Sequence, residues 1–257
     1  MPFLASGIPV RIQGRGPLVA TALPSCTRPV MLMLEETMTA TIHSGPALDP
    51  VADMARNGGT EHLFATPIFW YVFRNVEALN TELRELILAR EGGAPSAVKS
   101  NHGGWQSPDD VFHWTAPAIA TLRRLASSAV EVATSRLPLP PSFRAEFHLS
   151  GWAAVNRAGH YNTVHVHPMA TWSGVYYVDP GNEPAEGGGG LLEFSHPIMA
   201  SAMTFFPGAL PSARLVRPEA GMIILFPSYL QHSVRLYRGD RPRICVPFNA
   251  HMRIVGG

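Results

Sequence analysis

The chain has 257 residues, a formal net charge of +1 and only 15% charged residues. So weak and balanced a charge speaks against nucleic acid or an anionic membrane surface as partner, and leaves a small molecule or a peptide. Cys26 and Cys245 are the only cysteines, too few for a disulfide framework, which fits a reducing compartment, the cytoplasm.

Residues 1–58 show scattered Pro and Gly and no sustained periodicity, and they read as a disordered extension or an over-long translation start, with Met31, Met38 or Met54 as the true beginning. Arg11, Arg15 and Arg28 without acids would also suit a transit peptide, but Pro24 and Pro29 interrupt an amphipathic helix. The apolar stretches fall well short of about 20 continuous residues, so no membrane span is expected. Residues 59–257 are expected to form one domain, a length that a barrel or jelly roll commonly uses as a unit.

Within it, 59–145 reads as helical support. The aromatic, β-branched run at 61–73 suits a strand. Leu79, Leu83, Leu86 and Ile87 recur at three- and four-residue spacing, predicting a helix over 76–90 stopped by Glu91-Gly92-Gly93-Ala94-Pro95. A second helix, over 116–135, places Ile119, Leu122, Leu125, Ala129 and Val132 on one side and ends at Leu137-Pro138-Leu139-Pro140-Pro141. Between them, Asn101-His102-Gly103-Gly104-Trp105-Gln106-Ser107 carries a glycine pair that permits close backbone approach. Trp105 and Gln106 there suit either a pocket wall or a packed turn.

From 146 to 250 short apolar runs alternate with Gly, Pro, Asn and Asp. Strands are predicted at 147–157, 161–167, 172–179, 190–195, 213–218, 221–227, 232–238 and 242–250. The class is mainly β with flanking helices, a double-stranded β-helix of the jelly-roll, cupin-like kind. The loops 180–190, with four successive glycines, and 199–212 would form its rims.

The chemistry concentrates in His165-Val166-His167-Pro168. In an extended segment alternate side chains share a face, so the two imidazoles converge while Val166 packs away. His232, at the junction of two apolar runs, supplies a third nitrogen for a metal of the Fe, Zn, Cu or Ni group. By itself an H-x-H pair also suits a polar strand edge. Arg243 adds weight, because it opens the run Ile244-Cys245-Val246-Pro247-Phe248 on a neighbouring strand, where a guanidinium can clamp a carboxylate through two N–H groups. Arg241 competes with it on the same face. His160 and His196 read as exposed residues or as neighbours of the ligands.

These motifs resemble the iron(II)- and 2-oxoglutarate-dependent oxygenases. The residues that carry the resemblance are Asn101 to Ser107, Ser150 to Asn156, His165 to Pro168, Trp172 to Val178, Gly190 to Phe194, Leu225 to Ser228 with His232, and Arg241 to Asn249. The resemblance implies a dioxygenase that uses Fe(II), 2-oxoglutarate and O2 to hydroxylate an unactivated C–H bond, releasing succinate and CO2. It implies His165, His167 and His232 as metal ligands, with Arg243 and Tyr177 holding the distal carboxylate of 2-oxoglutarate. Asn156, Trp172, Trp105 and Asn249 become candidate pocket residues. Most of the superfamily has a carboxylate where this chain has His167, so water or Asp179 is the alternative third ligand. Two other readings compete: a three-histidine cupin-type dioxygenase that does not use 2-oxoglutarate, and a non-catalytic jelly-roll binding protein.

Overall fold

A computed structural model describes residues 10–13, 65–184, 186–198 and 212–255. The chain forms two compact units, Met1–Arg15 with Thr66–Gly257, and Gly16–Ala65; the latter lies almost wholly outside the described residues. So do most of the stretch read as an extension and the loop expected at 199–212. Within 1–58, Val10–Gln13 forms a strand, β1, paired antiparallel to residues of a core strand.

Among the described residues thirteen strands and two α-helices run in the order β1, β2 (Phe69–Val72), α1 (Glu77–Gly93), β3 (Asn101–His102), β4 (Trp105–Gln106), α2 (Pro117–Ser135), β5 (Arg144–Gly151), β6 (Ala154–Asn156), β7 (Tyr161–His165), β8 (Trp172–Asp179), β9 (Leu192–Ser195), β10 (Ala213–Val216), β11 (Met222–Pro227), β12 (His232–Val234) and β13 (Arg243–Ile254). They build an eight-stranded sheet, β1-β5-β13-β8-β11-β2 with β6 and β4 continuing from β13, and a five-stranded sheet, β10-β9-β12-β7-β3. All strand pairs are antiparallel, and the two sheets form the expected jelly roll.

Period-two alternation explains how one strand serves two layers. Along β8, Trp172, Tyr176 and Val178 face the helices and join the larger apolar core with Leu83, Ile87, Ile119 and Leu122. Tyr177 faces the other way, into a second core with Leu192, Phe194, Ile224, Phe226 and Cys245 between the sheets. Two buried polar tips tie the helices to the large sheet. The Tyr176 hydroxyl donates to Asn80 Oδ1 on α1 at 2.7 Å, and Trp172 Nε1 donates to Thr134 Oγ1 on α2 at 3.0 Å.

Among the boundaries that differ from the sequence expectation, four have a plain cause or bear on the site. The run 147–157 is two strands, because Trp152 N–H turns to the Pro247 carbonyl and Ala153 N–H to Ser107 Oγ, which breaks the ladder between β5 and β6. The strand expected over 161–167 stops at His165, and that over 232–238 stops at Val234. Helix α1 runs through Gly93, since neither glycine forbids helical dihedrals and the stop falls at extended Ala94 before Pro95.

Candidate metal centre

The first two histidines are placed by strand pairing. His232 on β12 lies directly opposite His165 on β7, and their rings are 4.3 Å apart between centroids. His167 stands two residues beyond β7 in a connecting loop, but its position is fixed: its backbone N–H donates to the Ser228 carbonyl at 3.0 Å. Its ring lies 5.0 Å from that of His165 and 5.1 Å from that of His232. The three ligand atoms all lie within 4.8 Å of one another, and the group could hold one metal ion.

Backbone acceptors orient two of the rings. His165 Nδ1–H donates to the Thr163 carbonyl and His232 Nδ1–H to the Leu230 carbonyl, each at 2.8 Å. Nε2 of both rings therefore keeps its lone pair for a ligand, as in metal sites where the second nitrogen is anchored by a carbonyl. His167 Nε2 faces His232 Nε2 at 3.3 Å, close enough for both to reach one cation. Phe226 packs edge-on to His232, its centroid 4.7 Å away, and Trp152 sits 5.5 Å from His167. This apolar surround holds the imidazoles neutral. Desolvation, with His165 adding repulsion, lowers His167 to about 4 and His232 to about 3; burial lowers His165 as well.

The cavity before the histidines is closed on its far side by the large sheet. Arg243, at the start of β13, is 2% exposed. Its Nε donates to the Gly190 carbonyl at 3.1 Å, its Nη1 lies 3.6 Å from Cys245 Sγ, and its guanidinium carbon stands 5.3 Å from the Tyr177 ring centre. Among the described residues no carboxylate pairs with it. The Tyr177 hydroxyl is fully buried and has no hydrogen-bond partner, and burial raises its pKa. A buried guanidinium and an orphaned phenol thus look into the same hollow as the three imidazoles.

Of the pocket candidates, Trp105 and Asn156 line the cavity; Trp172 and Asn249 do not. Trp172 is five residues from inward-facing Tyr177 on the same strand, so alternation turns it to the opposite face, where it packs against Phe69 and α2. Asn249 lies on the inner face but beyond the cavity, where its Oδ1 accepts from the lining residue Ser173 at 2.9 Å. Asp179 is not near the imidazoles; it pairs with Arg84 at 3.6 Å and Arg241 at 3.9 Å. That pairing also keeps Arg241 outside. His160 and His196 lie away from the cluster, His160 Nδ1 accepting from Arg157 N–H and His196 Nδ1 from Ile198 N–H. Sequence reasoning missed Trp152, Ser100 and Asn162 as lining residues. Ser100 Oγ stands 3.4 Å from His165 Nε2, a contact between segments that no spacing could reveal.

Residues 150–249 match the family described as "Putative 2OG-Fe(II) oxygenase". The matched family is that of the 2OG-Fe(II) oxygenases. The matched segment contains the three histidines, Tyr177 and Arg243, whereas β3 and β4 precede it. No curated protein sequence matches the chain. Solved structures share the fold. A Pseudomonas putida prolyl-4-hydroxylase is 18% identical, with 79% of this chain and 97% of that one covered at a TM-score of 0.51. HygX from Streptomyces hygroscopicus, solved with nickel and 2-oxoglutarate bound, is 11% identical over 72% of this chain and 83% of that one, TM-score 0.51. SnoK, an alpha-ketoglutarate-dependent carbocyclase of nogalamycin biosynthesis, is 12% identical over 72% and 79%, TM-score 0.50. At these identities the likeness is one of fold. Among the described residues no helix is long and apolar enough to cross a membrane.

Proposed function

We propose that the chain is an Fe(II)- and 2-oxoglutarate-dependent dioxygenase that hydroxylates an unactivated C–H bond of a small molecule or peptide. The observation that carries this is the buried Arg243, without a carboxylate partner and beside the unpartnered Tyr177 hydroxyl, in one cavity with the three histidines. An uncompensated buried cation is strongly unfavourable unless an anion arrives to pair with it. A keto acid that reaches the metal at one end and a guanidinium at the other answers both ends of the cavity.

His165, His167 and His232 would hold Fe(II) through Nε2, and Arg243 with Tyr177 would hold the distal carboxylate of 2-oxoglutarate. The bound iron and keto acid supply O2 activation with release of succinate and CO2. The chain's own residues bind, orient and exclude water. Arg243 is held by Gly190 and backed by Cys245, so it meets the carboxylate without reorganising. Trp152 and Phe226 wall the imidazoles from solvent. No acid or base is required of the protein, in keeping with chemistry carried by a cofactor. A cysteine that is buried and free fits a reducing compartment, the cytoplasm.

The three-histidine cupin-type reading accounts for His167 but gives Arg243 and Tyr177 nothing to bind. Anaerobic titration with Fe(II) and 2-oxoglutarate separates the two. The proposed function predicts the weak visible absorption of the iron–keto acid chelate, and its loss in Arg243→Met. Iron binding with no response to 2-oxoglutarate would favour the cupin-type reading, and no iron binding would favour a plain binding protein.

A further inference from the structure

Among the described residues three buried side-chain atoms lack a hydrogen-bond partner: the Tyr177 hydroxyl, Glu183 Oε1 and Gln106 Nε2. Gln106, like Tyr177, lines the cavity, and it is 3% exposed. Leaving an amide buried and unpaired is unfavourable, so its retention here points to a partner that comes from outside the chain. The backbone of β4 holds it in place, since Gln106 N–H donates to Ser96 Oγ at 3.0 Å and its carbonyl accepts from Ala97 N–H at 2.8 Å.

The strand register relates Gln106 to the other unpartnered group of the cavity. Gln106 lies opposite Ala154, Ala154 opposite Cys245, and Cys245 opposite Tyr177. These four make a single cross-strand row, all facing the cavity, with the two unpartnered side chains at its ends and two small ones in the middle. Arg243 shares the face of Cys245 two positions earlier on β13, its Nη1 lying against the sulfur. The small middle residues leave a depression surrounded by a phenol hydroxyl, a guanidinium and a carboxamide, each able to donate. Among the described residues no acidic side chain lines it.

We propose that Gln106 donates its side-chain N–H to the same carboxylate of the keto acid that Arg243 and Tyr177 hold, closing the third side of an anion pocket built over Cys245. This rests on the oxygenase reading, but it assigns a ligand contact to β4, which lies before the matched segment. A carboxylate accepts from three directions without strain, and each charge-assisted hydrogen bond is about twice as strong as a neutral one.

The test uses the full chain and anaerobic titration with Fe(II) and 2-oxoglutarate, followed by the chelate absorption, together with thermal melting of the metal-free protein. Gln106→Met, matched in shape, should weaken 2-oxoglutarate binding about tenfold, the loss of one charge-assisted hydrogen bond. It should leave Fe(II) binding unchanged and melt no lower than wild type, because the group removed had no partner. Gln106→Glu should weaken the keto acid more than Gln106→Met does, by repulsion. Undiminished 2-oxoglutarate affinity in Gln106→Met overturns the proposal, as does a lower melting temperature with unchanged affinity, which would mark a packing residue. If the wild type itself takes no 2-oxoglutarate, the oxygenase reading falls first and this contact with it.

Discussion

His165 and His232 face each other across a register pair of β7 and β12, each with Nδ1 donating to a carbonyl two residues earlier in its own strand or turn. The same local device, used twice, presents two Nε2 lone pairs from one sheet. The third imidazole is of a different origin, because His167 belongs to a loop pinned by Ser228.

That difference makes His167 the informative position. Three neutral imidazoles leave a divalent metal at full charge, so a dianionic keto acid should raise Fe(II) affinity, by on the order of tenfold. His167→Asp should bind Fe(II) on its own and show less enhancement by 2-oxoglutarate. Isothermal titration of Fe(II) with and without the keto acid measures both, and equal enhancement in the two proteins would show that His167 does not set the site's charge.

Removing the anion clamp should affect the two groups unequally. Arg243→Met should lower 2-oxoglutarate affinity by about 2–3 kcal/mol, the scale of a hydrogen-bonded charge. Tyr177→Phe should lower it by about 1 kcal/mol and leave the melting temperature of the metal-free protein unchanged or higher, since the hydroxyl removed has no partner. A clear loss of metal-free stability in Tyr177→Phe would argue that the phenol is structural.

Acid should destabilise the metal-free protein through the imidazoles. His167 near 4 and His232 near 3 lie below the ordinary 6.5, so between those values the unfolded chain binds more protons than the folded one. Stability is therefore full above pH 6.5 and falls as pH drops towards 4. Melting temperatures between pH 7.5 and 4.5 should show this slope, and His167→Gln should flatten it. Added Ni(II) should raise the melting temperature at pH 7.5 and much less at pH 5, because protons compete for the same nitrogens.

Trp172 should behave as a structural residue. Trp172→Phe removes the bond to Thr134 and leaves that buried hydroxyl unpaired, at a cost of about 1–2 kcal/mol. Chemical denaturation would show the loss, while 2-oxoglutarate affinity stays at the wild-type value. A changed affinity would return Trp172 to the cavity.

Most strand segments after residue 146 and both described helices were legible because period-two and three-to-four spacings report burial directly, and Gly and Pro mark the turns. Arg243 was legible for the same reason, since its neighbour Ile244 is buried; the H-x-H pair was legible only as a motif, because Val166, expected to pack away, is exposed and His167 lies beyond the end of β7. Trp172 was misread although the means lay in the sequence, since inward Tyr177 at an odd separation excludes it. Ser100 and Trp152 were illegible in a stronger sense. They reach the histidines through loops whose paths depend on backbone bonds such as Trp152 N–H to Pro247, and such long-range pairings leave no periodic trace.

The metal ligands and the cationic anchor lie on opposite walls, one group carried by or tied to the five-stranded sheet and the other by the eight-stranded sheet. Face-to-face sheets keep a separation of about 10 Å because side chains interdigitate between them. On the proposed function the sandwich would therefore act as a caliper: the length of diacid it accepts would be set by the thickness of the core, in which Phe194, Phe226 and Leu192 are the spacers. Shaving those apolar side chains should shift preference towards a keto acid of a different chain length.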